Sequence, residues 1–367
     1  MARTALTPRG GRSASSSASS SSAKPEPLAP QPLTPRALRA WVRAAGLPPF
    51  RAEQVLRWAY ARGAESFAAM SDVARPLRSA LAAEFALPGL VPAEVAHATD
   101  RTRKLLFALE PGRAVESVII PDPPRLTACI SSQAGCAMSC AFCATARLGL
   151  QRQLTAAEIA GQLIAVRRAL DPGERLSNVV FMGMGEPLAN YDAVVEAIEV
   201  LTADWGFGLS GRRITVSTVG LLPQLERLVR ETPVSIAISL TATTDELRDR
   251  LMPVNRRYPL AQLMATCRAL PIAQRRRITF EYVLLAGVND SPADASRLVR
   301  LLHGIRSKIN LIPFNPFAGA GFAPPPPAAV ERFRNRLLAG GVSTSVRATR
   351  GRDIQAACGQ LAATHLS

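Results

Sequence analysis

Cys136-Ala-Met-Ser-Cys140-Ala-Phe-Cys143 constrains this chain more than any other stretch. Its C-x3-C-x2-C spacing brings three thiolates around one soft metal centre, the ligand type that suits zinc, copper(I) or iron–sulfur clusters. A closed zinc site asks for four Cys or His ligands. The chain has three histidines, His97, His303 and His365, and none lies near the motif in sequence. Three thiolates without an evident fourth fit a [4Fe–4S] cluster whose fourth iron stays open to another ligand.

Composition narrows the setting. With 367 residues and 48% hydrophobic content, the chain can bury one large domain and a small one. Its apolar runs fall far short of the ~18 residues of a membrane span, so no membrane partner is expected. Six cysteines in a chain this long do not form a disulfide scaffold; a reducing, cytoplasmic setting with metal or redox roles fits better. The net charge of +16 calls for a polyanion, most simply nucleic acid.

Residues 1–33 are Ser- and Pro-rich and read as a disordered low-complexity tail. Thr34-Pro35 is a helix start, a cap followed by Pro at the first helical position. Leu38, Trp41, Val42 and Ala45 then share one face. Val55, Leu56, Ala59 and Tyr60 mark a second helix, and Leu77, Leu81 and Phe85 a third. Residues 34–90 thus read as a small helical domain. Its Arg36, Arg39, Arg43, Arg51, Arg57 and Arg62 are either phosphate contacts or a solvated basic face. Residues 91–124 read as a β-hairpin linker turning at Pro111-Gly112.

From 125 to 361, strand-like runs alternate with helical patterns. Alternation of this kind implies parallel strands with right-handed crossovers. The expected class is α/β, a partial (β/α)6 barrel with its site at the C-terminal ends of the strands. Residues suited to a ligand fall at those ends: Gly183, Gly185 and Glu186, then Ser217, then Ser239, Leu240 and Thr241, then Asn310 and Asn315. The glycines let backbone approach a ligand closely, and Glu186 offers a carboxylate to an ammonium or a ribose hydroxyl. Cys129, Cys267 and Cys358 read singly as small core residues.

The cysteine spacing resembles the radical S-adenosylmethionine (SAM) superfamily, with Phe142 in the common aromatic position. The likeness narrows over Val115-Glu-Ser-Val, Cys129-Ile-Ser-Ser-Gln-Ala-Gly-Cys136, Gly183-Met-Gly-Glu-Pro, Ile312-Pro-Phe-Asn-Pro-Phe317 and Arg350-Gly-Arg-Asp-Ile-Gln-Ala-Ala-Cys-Gly-Gln-Leu361. These look like the RlmN/Cfr family of radical-SAM RNA adenosine methyltransferases, from about Thr34 to Leu361.

That resemblance implies a [4Fe–4S] cluster on Cys136, Cys140 and Cys143, and two SAM molecules per turnover. It implies that Cys358 carries the methyl group as S-methylcysteine. Cys129 then resolves a protein–RNA crosslink through a transient disulfide with Cys358, and either Glu116 or Cys129 takes the ring proton. Gly185, Glu186, Ser217, Ser239, Leu240, Thr241 and Asn315 map to SAM contacts. The implied substrates are 23S rRNA and tRNA, methylated at carbon 2 of adenosine. The implied helper is an electron donor such as flavodoxin or ferredoxin, acting on a monomer. Carbon 8 methylation and a non-catalytic, metal-containing RNA-binding protein are the alternatives. One departure stands out: family members often carry His or Asn where this chain has Thr241.

Overall fold

The computed structural model describes residues 29–110 and 112–362. The expected tail up to residue 28 lies outside them, as does His365. The far end of that tail is corrected: β1 (Gln31–Pro32) pairs in parallel with β2 (Phe85–Ala86), and Leu33 is fully buried. Tyr60 Oη donates to the Leu33 carbonyl at 2.7 Å, so packing begins before Thr34.

Between β1 and β2 run α1 (Pro35–Ala44), α2 (Phe50–Leu56) and α3 (Arg75–Glu84). Thr34 Oγ1 caps α1 by accepting from Ala37 N at 3.2 Å, and Leu38 and Val42 bury its apolar face. A π-helical turn, Arg57–Ala61, continues α2 and buries Tyr60. The helical unit is fastened to the larger, C-terminal part of the chain. Arg39 pairs with Glu199 at 2.6 Å, and Arg167 donates to the Ala61 carbonyl at 2.6 Å. Arg39, read as a phosphate contact or a solvated group, instead joins the two parts of the chain.

β3 (Glu94–His97), β4 (Arg103–Glu110) and β5 (Arg113–Asp122) are antiparallel. β5 also pairs with β6 (Arg125–Cys129), with Val118 opposite Cys129. The segment read as a hairpin linker is therefore an extension of the barrel sheet. Residues 114–119 of β5 are buried without a break, so both faces of this strand need cover and it cannot stand apart as a connector.

β7 (Gln133–Gly135) and β8 (Leu150–Gln153) flank the cysteine loop, which holds the short α4 (Ala144–Arg147). The alternation then runs α5 (Ala156–Arg168), β9 (Asn178–Phe181), α6 (Tyr191–Thr202), β10 (Ile214–Thr218), α7 (Leu222–Glu231) and β11 (Ser235–Ser239). It continues with α8 (Asp245–Leu251), α9 (Leu260–Ala269), β12 (Ile278–Leu284), α10 (Pro292–Leu302), β13 (Ser307–Pro313), α11 (Pro327–Ala339) and β14 (Thr344–Val346). Among the described residues these strands form one ten-stranded sheet, ordered β14-β13-β12-β11-β10-β9-β6-β5-β4-β3. Every pairing from β6 to β14 is parallel. The expected partial barrel is present as an open, incomplete sheet.

Period-2 alternation divides each strand. Val179, Phe181, Ile214, Val216, Ile278 and Phe280 are buried in the core. Residues of the other parity, Asn178, Thr215, Thr279, Glu281 and Asn310, line a cavity of about 1360 Å³. Barrel interiors are usually filled by branched apolar side chains. This one carries polar side chains among its apolar ones and is open, which leaves room for a ligand. No described helix is long and apolar enough to cross a membrane.

Candidate active site

The cysteine loop closes on itself between β7 and β8. Gly135 sits at φ 72°, and a Cβ there would lie 1.8 Å from the Gly149 carbonyl oxygen. Cys136 N donates to that same oxygen at 2.8 Å. Glycine is the residue that permits both the positive φ and the close approach. Inside the loop, Ala141 N donates to Leu251 O of α8 at 3.0 Å.

The loop also holds the C-terminal segment. Ala144 N donates to Gly359 O at 2.8 Å, and Thr145 Oγ1 donates to Leu361 O at 2.6 Å. Asn315 Nδ2 donates to Cys358 O at 3.1 Å, and Gln360 Nε2 to Pro316 O at 2.7 Å. Cys358 is thereby brought to the cavity wall beside the cysteine loop, with Asn315, Met182 and Arg347. Cys129, at the end of β6, is 4% exposed. Burial pushes its thiol up to about 12; the charge of Cys358 adds to this, while Arg347 opposes it. All six cysteines are free thiols.

The strand ends carry the remaining expected residues. Glu186 N donates to Gln133 Oε1 at 2.7 Å, and its carboxylate accepts from Val219 N at 2.9 Å and Leu188 N at 3.0 Å. Burial pushes its carboxyl up to about 7 against those hydrogen bonds. Gly185 lies at φ 101°, where a Cβ would meet Gln133 Cβ at 2.6 Å. Ser217 is half-buried within β10, and Ser239 ends β11. Leu240 and Thr241 are fully buried. Thr241 has φ 56°, its carbonyl accepts from Asn289 Nδ2 at 2.7 Å, and its Oγ1 has no partner among the described residues.

Glu116 lies apart from this ring. Its Oε1 meets Lys104 Nζ at 2.9 Å and its Oε2 accepts from Ala362 N at 3.0 Å, with both side chains buried. Cys267 is a buried residue of α9.

Comparison with known proteins gives matches to two separate stretches of the chain. Residues 130–299 match the radical SAM superfamily, and residues 32–87 match the ribosomal RNA large subunit methyltransferase N-terminal domain. The dual-specificity RNA methyltransferase RlmN of Syntrophobacter fumaroxidans is 51% identical over 328 residues, covering 89% of this chain and 96% of the relative. The chain belongs to the RlmN family. The RlmN of Geobacter sulfurreducens is 52% identical, over 88% of this chain and 89% of the relative. A radical SAM methyltransferase from Sphaerobacter thermophilus superposes with a TM-score of 0.85 at 45% identity, covering 91% of this chain and all of its own.

Radical SAM enzymes of the RlmN family use a [4Fe–4S] cluster and SAM. The residues here fit both. Burial raises the thiols of Cys136, Cys140 and Cys143, and each feels the charge of another cysteine. Such a pocket disfavours bare thiolates and accepts them once a metal shares their charge. Among the described residues, no three Cys, His, Asp or Glu side chains converge as on a single ion. A cluster, with each thiolate on its own iron, does not require that convergence. For SAM, the unpartnered hydroxyl of Thr241 and the unpartnered Ser132 Oγ are buried polar atoms of the kind a ligand satisfies.

Sequence reasoning missed Lys104, Arg248, Glu281 and Arg347. Arg347 donates to Met182 Sδ at 3.4 Å, and its guanidinium is kept protonated by Cys358, Glu281 and Cys129 against its burial. Arg248 binds the carbonyls of Val219, Ser239 and Leu240 from a helix, Asp-Glu-Leu-Arg-Asp-Arg-Leu, that reads as a charged surface element. The apolar spacing of Leu247 and Leu251 around Arg248 was the one available sign that this face is buried.

Proposed function

We propose that this protein methylates carbon 2 of adenosine in 23S rRNA and in tRNA, with Cys358 as the methyl carrier. The observation that carries this reading is the position of Cys358 at the wall of a large cavity, hydrogen-bonded through its neighbours to the cysteine loop, with the buried Cys129 at the end of the cavity strand β6. The far end of the same cavity is lined by Arg125, Arg212, Arg275, Arg276, Arg277 and Lys308, at the N-terminal ends of the strands. A basic rim of that kind suits phosphates, and a target base must leave its stack to enter.

Cys136, Cys140 and Cys143 would hold the cluster, and Gly185, Glu186, Ser217, Ser239, Leu240, Thr241 and Asn315 would line the SAM site. When bound, cluster and SAM supply a hydrogen-abstracting radical, which suits an sp2 carbon too weakly nucleophilic for polar methylation. Cys358 presents its methyl thioether to the base. Once the methylene carbon of that thioether is joined to carbon 2 and the adduct has lost one electron and the ring proton, the Cys129 thiolate attacks Cys358 Sγ: an Sγ–Sγ bond forms, the carbon–sulfur bond breaks, and the released carbon keeps the electron pair and takes a proton to become the methyl group. Cys129 accepts the ring proton, since the Glu116 carboxylate is engaged by Lys104 Nζ and Ala362 N. The helical domain, 34–90, contacts RNA. The enzyme works as a cytoplasmic monomer fed by a flavodoxin or ferredoxin.

The test is anaerobic methyl transfer from labelled SAM to a 23S rRNA fragment and a tRNA, with wild type beside Cys358→Ala. Intact-mass analysis should find one extra methyl on wild type alone, and nucleoside digestion should find 2-methyladenosine. Methylation by Cys358→Ala would remove the carrier role, and 8-methyladenosine would overturn the site of attack.

A further inference from the structure

Arg248 is 1% exposed, so its guanidinium is cut off from water. Among the described residues its N–H groups reach only neutral acceptors: Val219 O at 2.9 Å, Ser239 O at 3.2 Å, Leu240 O at 3.3 Å and Asn255 Oδ1 at 3.0 Å. The nearest carboxylates stand behind Asn255, whose Nδ2 donates to Asp249 Oδ1 at 2.7 Å and to Asp245 Oδ1 at 3.0 Å. A buried charge without a direct ionic partner is costly and calls for a reason.

The cysteine loop supplies one. One helical turn beyond Arg248, Leu251 O accepts from Ala141 N at 3.0 Å. Cys140, Ala141 and Phe142 pack with Val219, Leu251 and Met252 in one apolar cluster. The Arg248 guanidinium, a group that stays charged in proteins, thus sits on the helix whose Leu251 packs in one cluster with Cys140 of the motif.

We propose that Arg248 is a positioning residue with a second effect: a fixed counter-charge that raises the reduction potential of the iron–sulfur cluster while its N–H groups hold the strand ends facing SAM. The proposal rests on the cluster assignment above. A cluster gains one negative charge on accepting one electron from a low-potential donor. A fixed cation in an apolar surrounding stabilises that reduced state more than the oxidised one. The three carbonyls it binds belong to the ends of β10 and β11, so the same side chain couples SAM-site geometry to cluster electrostatics.

Wild type, Arg248→Gln and Arg248→Lys are to be purified anaerobically and loaded with iron and sulfide, with both contents measured. A wild type that takes up no iron and sulfide would remove the cluster assignment and this proposal with it. With loading established, midpoint potentials are read by dithionite titration, following the electron paramagnetic resonance of the reduced cluster. The Gln variant is expected to hold about tenfold less reduced cluster at a given poise, a midpoint lower by about 59 mV for a one-electron couple. The Lys variant should stay near wild type. A Gln variant with the wild-type midpoint, or a Lys variant that falls as far as Gln, overturns the counter-charge.

Should the Gln variant not load, the paired exchange Asn255→Asp with Asp249→Asn decides. It keeps Arg248 and its carbonyl contacts, leaves net charge unchanged and brings a carboxylate onto the guanidinium. A lowered midpoint supports the proposal, and an unchanged one overturns it.

Discussion

The Asn315 side-chain amide donates to the Cys358 carbonyl at 3.1 Å, while its Oδ1 accepts from Thr349 Oγ1 at 3.1 Å. Both ends of one amide thus join the turn after β13 to the segment that carries Cys358. A residue read only as a ligand contact is also a clasp for the proposed methyl carrier.

Asn315→Ala removes that clasp and leaves a carbonyl in need of a donor. A lost hydrogen bond of this kind costs about 1–1.5 kcal/mol, and about 1.4 kcal/mol is tenfold in rate. Methyl appearance on Cys358, followed by intact mass, is expected to slow about tenfold.

Lys104 and Glu116 form a buried pair, with side chains 6% and 1% exposed. Taking away one partner of a buried pair costs on the order of 3 kcal/mol. Lys104→Met is therefore expected to lower stability by that amount in urea unfolding. It should also loosen the C-terminal segment that Glu116 holds through Ala362 N at 3.0 Å, which proteolysis after the cysteine region would reveal. A variant as stable and as resistant as wild type contradicts a structural role for the pair.

Gly135→Ala puts a methyl group 1.8 Å from the Gly149 carbonyl oxygen, at a φ of 72°. Neither backbone can move without opening the cysteine loop. Iron and sulfide uptake should be lost, while far-ultraviolet circular dichroism stays close to that of wild type because the barrel strands do not depend on this turn.

Thr241 occupies φ 56°, a region that a β-branched residue adopts only under strain. Asn tolerates this conformation better, because its short amide side chain is the non-glycine type most often accommodated at positive φ. Thr241→Asn is expected to raise stability by about 1 kcal/mol, with SAM binding retained in equilibrium dialysis. A loss of stability would show that the cost of fitting the larger amide exceeds the relief of strain.

Burial raises the Glu281 carboxyl above its ordinary 4.5, although Arg347, Asn310 and Lys308 oppose the shift. The folded state therefore keeps this proton at pH values where the unfolded chain has released it. Stability from this group is full below about 4.5 and declines as pH rises through the raised value, since the native state then binds more protons than the unfolded one. Glu281→Gln should flatten that part of the urea-midpoint profile; an unchanged slope would exclude Glu281 as its source.

The cysteine loop, the alternation of strands and helices and the start of α1 at Thr34 were all legible because each is a local pattern. Thiolate spacing, side-chain periodicity and a Thr-Pro cap act over a few residues, so reading them needs no knowledge of the rest of the chain. The same reasoning went astray where a pattern was local but its partner was distant. The β4–β5 hairpin looked self-sufficient until β5 met β6, and the arginines of the helical domain looked free until Arg39 met Glu199.

By itself, then, the sequence determined the class of fold, the cysteine loop and the family, because these depend on spacing along the chain. Only the tertiary structure decided that Cys358 returns to the cysteine loop, that Glu116 pairs with Lys104, and that Arg248 and Arg347 are held inside beside cysteines. A charged residue on a helix or strand reads as solvent-facing until another element covers it. Burial and electrostatic coupling arise from what packs across the barrel, and neither is written in the residues on either side of the charge.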